Sequence, residues 1–176
     1  MAKYFKQFPE IEYNNYTIKN ILLSVKINDV VQGSASVYYP YTISDGQQPW
    51  MIAADYYKDP NMVWLIYLAN NIEDPYYDWY LDTVHFEQYI VKKYGSLAAA
   101  QALLINYKEV VNGAETGILF SPNTYENTTD VNKTNWLAQY AYDKENDDNE
   151  VKRHIKLLSR SYAAQAESNL KAVLKG

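Results

Sequence analysis

Tyrosine constrains this chain more than any other residue type: it fills 19 of 176 positions. Each ring brings a large rigid apolar face and a hydroxyl that needs a partner when buried. One hydrophobic core cannot enclose so many rings and satisfy every hydroxyl, so much of the outer surface is expected to be committed to partner proteins. A chain of this length can bury roughly 70% of its unfolded surface without a covalent staple. It contains no cysteine, which excludes disulfides, thiolate metal sites and a cysteine nucleophile. The formal charge of −5 argues against a nucleic-acid or anionic-membrane surface. No uninterrupted apolar run of about 18 residues is present to span a bilayer. The first nine residues lack the apolar run of a signal peptide, so residence in a cytoplasm is expected.

Periodicity divides the chain into an expected α+β arrangement. Residues 1–36 read as an N-terminal arm, extended over 1–20 and carrying Phe5, Phe8, Pro9 and Tyr13, with a short helix running into a strand over Ile18–Ile27. Val37, Tyr39, Tyr41 and Ile43 alternate as a strand, which Pro40 places at a sheet edge. Ser44-Asp45-Gly46 turns the chain. Pro49 then opens one helix, and Asp59-Pro60 opens a second, as an N-cap carboxylate followed by proline in the first turn. Trp64 and Leu68 share helical spacing on that second helix and are expected in the core. A rigid aromatic loop over Asp74–Tyr80 leads to a helix over 83–94, and 37–95 reads as one unit. A further helix is expected over 96–111 and an irregular arm over 112–148, least ordered across 112–135. Within 149–176 a stripe at steps of three and four (Val151, Ile155, Leu158, Tyr162, Ala166, Leu170, Val173) predicts an amphipathic helical tail. Asp148 and Lys152 are spaced for an i to i+4 pair. Removal of 151–176 is expected to leave the 37–95 unit folded.

Chemistry-bearing patterns are few. The acid pairs Glu73/Asp74 and Asp78/Asp82 sit around a proline turn, where capping and turn bonding are the usual work of aspartate. His85 and His154 read as surface or half-buried histidines. Gly-x-Ser-x-Gly, His-Glu-x-x-His and phosphate-loop patterns are absent. The expectation is no enzyme, no cofactor, no metal and no small-molecule substrate.

Two resemblances rest on residues already named. Tyr41-Thr42-Ile43-x-Asp45-Gly46, Ile52-Ala53, Tyr56-Tyr57, Trp64-Leu65, Leu68 and Asn70-Asn71-Ile72 are similar to the strand and two helices of a LysM domain. This implies a small βααβ unit with Tyr41, Ile43, Gly46, Ile52, Ala53, Trp64 and Leu68 in its core. LysM domains bind N-acetylglucosamine polymers in a shallow groove, here near Asp45–Gln48 and Asn70–Glu73, with Asp45, Asn70 and Asn71 as vestigial contacts. The chain departs from that pattern after Ile72. No second strand follows, and the bulky Asp74-Pro75-Tyr76-Tyr77-Asp78-Trp79 loop occupies its place.

With Tyr38-Tyr39-Pro40 before these motifs, the same ordered set resembles the small baseplate wedge proteins of contractile-tailed, T-even-like bacteriophages, which contain a LysM-like domain. The N-terminal Phe5, Phe8-Pro9 and Tyr13 and the closing Asn149-Glu150-x-x-Arg153-x-Ile155-x-Leu157-Leu158 are similar too. The resemblance implies a non-catalytic virion subunit assembled in the host cytoplasm, in six copies. It implies contacts with other wedge subunits, the sheath-initiating subunit and the central hub. Phe5, Phe8, Tyr13, Tyr76, Tyr77, Trp79, Ile155, Leu158 and Tyr162 are the expected interface. The alternative is a LysM-type peptidoglycan-binding module.

Overall fold

The computed structural model describes residues 8–21, 35–129 and 131–175. In chain order the elements are β1 (Glu10–Tyr13), β2 (Tyr16–Lys19), β3 (Tyr38–Thr42), α1 (Pro49–Tyr57), α2 (Val63–Ala69), α3 (Pro75–Asp78), α4 (Thr83–Tyr94) and α5 (Leu97–Ala102). There follow β4 (Leu104–Val111), β5 (Ala114–Phe120), α6 (Pro122–Asn127), β6 (Trp136–Tyr140), α7 (Ala141–Arg153), β7 (His154–Leu158) and α8 (Arg160–Lys175). The fold is α+β with three small antiparallel sheets, β1-β2, β3-β7 and β5-β4-β6. Two compact units are present. One comprises Met1–Tyr80 with Lys152–Gly176, the other Leu81–Val151.

The first unit is built on β3, α1, α2 and β7. Pro49 sits in the first turn of α1, which ends on Lys58 in the left-handed region at φ 61°. Asp59 accepts from the Asn61 N–H at 3.0 Å and caps the 3-10 turn Pro60–Met62 that runs into α2. The closing strand does not follow α2 in sequence. It is β7, antiparallel to β3 with Tyr41 opposite Ile155 and Pro40 opposite Lys156. The expected tail helix is therefore corrected over 154–158. Ile155 and Leu157 alternate with His154 and Lys156, and the edge of β3 supplies backbone partners that a helical stripe ignores. The helix resumes only at Arg160. Ile43, Ile52, Ala53, Ile66, Trp79 and Leu157 form the main core. Phe8, Leu170 and Leu174 form a second cluster against Trp64. On α2 the fully buried residues are Leu65, Ile66 and Ala69. Trp64 and Leu68 are half-buried, so the buried face is turned by about one residue from the expected one. Gly46 is an exposed turn residue at φ 73° rather than core.

In the second unit Asp82 caps α4 by accepting from the His85 N–H at 2.9 Å, and Gly95 ends it at φ 85°. Ser96 caps α5 through the Ala99 N–H at 3.0 Å. The helix expected over 96–111 stops at Ala102, where the alanine run gives way to Ile105, Tyr107, Val110 and Val111, which favour a strand. Asn112 and Gly113, at φ 53° and 80°, make a two-residue turn with Val111 opposite Ala114. Paired positive φ values are the geometry that suits hairpin twist. The segment expected to be irregular thus holds β5, α6, a 3-10 turn at Val131–Asn135, β6 and most of α7. Phe120 stacks on Trp136 with centroids 3.6 Å apart, and Tyr107 on Tyr125 at 3.8 Å. Phe86, Ile90, Ala100 and Ala141 make this unit's core.

The N-terminal segment is corrected as well. β1 and β2 form a hairpin across Asn14 and Asn15, at φ 51° and 65°. Ile18 and Lys19 lie in β2 rather than in a helix, and residues 22–27 of the helix and strand expected to Ile27 fall outside the described residues, as does Phe5. Asp148 pairs with Lys144 at 2.5 Å, while Lys152 donates to the Tyr77 carbonyl at 2.6 Å. The expected Asp148–Lys152 pair is replaced by these two contacts.

Candidate protein-interaction surface

The β1–β2 hairpin is amphipathic by register. Ile11 lies opposite Ile18 and Tyr13 opposite Tyr16, and the two-residue side-chain period puts all four on one face. The other face carries Glu12, Thr17 and the Glu10–Lys19 ion pair at 3.0 Å. Every residue of both strands is exposed, Tyr13 by 64% and Tyr16 by 73%. A two-stranded hairpin is marginally stable by itself, and this one leaves all four residues of its apolar face exposed.

A second exposed aromatic pair is held by turn chemistry. Asp74 caps α3 through the Tyr76 N–H at 2.9 Å, and Asp78 accepts from the N–H groups of Glu73 and Asp74 at 3.2 and 3.0 Å. These bonds and the Lys152 contact brace the loop while Tyr76 and Tyr77 stand outward, edge to face at 5.1 Å. Asp82 is a helix cap. The backbone N–H of His85, followed by the His85 side chain, holds its carboxyl below the usual range.

The other expected interface residues divide. Tyr162 is exposed on α8. Phe8, Trp79, Ile155 and Leu158 are buried inside the first unit and are corrected from interface to core. Trp79 Nε1 donates to the Gln47 carbonyl at 3.3 Å and its ring meets Tyr67 edge to face. Ile11, Tyr16 and Ile18 were not singled out from sequence. The signal that finds them is the Asn14-Asn15 turn, with Tyr13 and Ile11 mirrored by Tyr16 and Ile18.

The expected sugar contacts are also resolved. Asn70 Nδ2 donates to the carbonyls of Ile66 and Lys156 at 2.8 and 2.9 Å, and its Oδ1 accepts from the Lys156 N–H at 2.8 Å. Ile43 N–H donates to Arg153 and Ser159 N–H to Val37. The odd residues of β3 therefore pair with β7, and Pro40 and Lys156 turn their backbone groups away from each other. Pro40 loses no ladder bond this way. Asn70 satisfies the outward N–H and C=O of Lys156 as a third strand would. Both Asn70 donors are thus engaged by the fold. Asn70 and Asn71 line a shallow groove of about 560 Å³ with Tyr38, Pro40, Thr42, His154 and Lys156, whereas Asp45 lies outside it.

Among the described residues no cluster of His, Asp and Glu is placed to hold a metal ion. None of their helices is long and apolar enough to cross a membrane. Compared with curated proteins, the chain finds no match. Compared with family models, residues 3–159 match the one described as base plate wedge protein 53 of phages. That match covers most of the 176 residues, and the exposed hairpin and aromatic pair are what a subunit of an assembly presents: the chain belongs to the phage base plate wedge protein 53 family.

Proposed function

We propose that this wedge protein is a non-catalytic connector, joining neighbouring wedges of the tail base plate to each other and to the central hub. Its contacts are other wedge subunits, the sheath-initiating subunit and hub proteins, with six copies per particle assembled in the host cytoplasm. Family membership supports a structural role in the base plate. The observation that carries the connector reading is the hairpin face of Ile11, Tyr13, Tyr16 and Ile18, all four of them exposed and the two tyrosines by more than half. Burying such a face against a partner supplies the stabilisation the hairpin lacks alone. In this reading β3, α1, α2 and β7 are a LysM-like βααβ scaffold whose polar groups serve the fold.

The test is a phage lacking its own copy, complemented with Tyr13→Ser/Tyr16→Ser. The purified variant should melt with the wild type, because both rings are exposed. Tails from the complemented infection should lack the protein and sediment as incomplete assemblies. Normal incorporation would remove the hairpin from the interface. Co-sedimentation of the wild type with peptidoglycan instead of tails would favour the LysM-type sugar-binding module.

A further inference from the structure

We propose that the open face of the β3–β7 sheet seats an extended acidic peptide segment of a neighbouring subunit. The partner's identity as a subunit rests on the connector reading; the peptide chemistry rests on the face itself. Thr42 opposite His154 and Pro40 opposite Lys156 make up this face, with Asn70 and Asn71 along one side. Although the chain carries a formal −5, no aspartate or glutamate lines the groove, whose ionisable side chains are Lys156, His154 and two tyrosines. Lys156 Nζ lies 4.6 Å from the centre of the Tyr38 ring, which fixes a cation above the sheet at modest entropic cost. Thr42 Oγ1 lies 3.4 Å from His154 Nδ1, adding two polar groups to the same strip.

The spacing suits an extended ligand. His154 and Lys156 are two apart on one strand, so their side chains leave the same face roughly 7 Å apart. Carboxylates at alternate positions of an extended peptide repeat at about that distance, so two of them can face the strip together. Sugar recognition is less well served, because both Asn70 donors are already engaged.

The experiment is amide chemical-shift titration of the full chain with three probes: an alternating Glu-Thr peptide, a Lys-Thr peptide of equal length and an N-acetylglucosamine oligomer. The Glu-Thr peptide alone should move the amides of Thr42, Asn71, His154 and Lys156, and added salt should weaken the response. Lys156→Glu should reduce the affinity by roughly tenfold or more, and Lys156→Arg should retain it. Should Lys156→Glu lower the melting temperature, His154→Glu places a negative charge in the same strip from an exposed position. No response to Glu-Thr, an equal response to Lys-Thr, an unchanged response in both glutamate variants, or a response to the sugar alone would each overturn the proposal. Because no particle is involved, none of these outcomes bears on the connector reading, which the hairpin variant tests separately.

Discussion

Replacing Asn70 with alanine tests whether one side chain closes the β3–β7 sheet. The substitution removes three hydrogen bonds of 2.8 to 2.9 Å and leaves the Lys156 N–H and C=O without their partner. At about 0.5–1.5 kcal/mol net per bond, and with water able to reach Lys156 from the open groove, the loss is about 2–3 kcal/mol. For a chain of this size that corresponds to a melting temperature lower by roughly 4–12 °C. Thermal unfolding followed by circular dichroism reads the total, and amide exchange at Lys156 reads the local effect. Asn70→Asp sharpens the test because its shape is nearly the same. It can still accept from the Lys156 N–H, but it sets an oxygen where the Ile66 and Lys156 carbonyls both need a donor. At neutral pH it should lose at least as much as alanine. A melting temperature for Asn70→Ala equal to the wild type, or an Asn70→Asp variant as stable as the wild type, would refute the clamp.

Glu145 accepts from Lys93 and Tyr94 at 2.7 Å and from Tyr89 at 2.8 Å, tying α7 to α4. Burial acts to raise its carboxyl, but the bonds from Lys93, Tyr94 and Tyr89 outweigh it and hold the pKa below the ordinary 4.5. A depressed carboxyl stabilises the folded state fully above its unfolded value and loses that contribution as pH falls through the native one. Glu145→Gln should therefore flatten the fall in melting temperature between about pH 5 and pH 3; an unchanged pH profile would contradict this. Gly113 occupies φ 80° in the β4–β5 turn, so Gly113→Val should cost about 1–2 kcal/mol or more, whereas Gly113→Asn should stay near wild type. Equal melting temperatures for the two would show that the turn is not decisive.

Legibility followed locality. The helix starts at Pro49, Asp59-Pro60 and Ser96 were readable because a cap involves only neighbours in sequence. Strand β7 was not, because its partner lies more than a hundred residues away and its apolar positions also fit a helix. The Asn112-Gly113 turn was a visible local signal, but the alanine-rich run before it and the polar, threonine-rich stretch after it outweighed it. For the surface, the tyrosine surplus pointed correctly to exposed rings, with Tyr13, Tyr16, Tyr39, Tyr76, Tyr77, Tyr140 and Tyr162 outward. It could not separate these from Trp79, Ile155 and Leu158, because a packing residue and a docking residue are the same chemistry until the fold decides which side is covered.

The position of β7 also reverses the expectation for the tail. Ile155, Leu157, Leu158, Leu170 and Leu174 are buried in the first unit, so removing 151–176 takes away one strand and a share of the core and cannot leave that unit intact. The first unit must then close a long loop, with Arg153 Nε donating to the Ile43 carbonyl 110 residues earlier in the chain. Asn149 shows how that cost is limited. It is buried, accepts from the Leu81 N–H at 2.9 Å and donates to the Leu81 carbonyl at 2.8 Å, holding the two ends of the second unit together. With those ends joined, the effective loop falls from 110 residues to roughly 40, worth about 1 kcal/mol of closure entropy. Asn70 and Asn149 thus use one device at two places: a single amide side chain imitates a peptide group and satisfies both the N–H and the C=O of a residue far away in sequence.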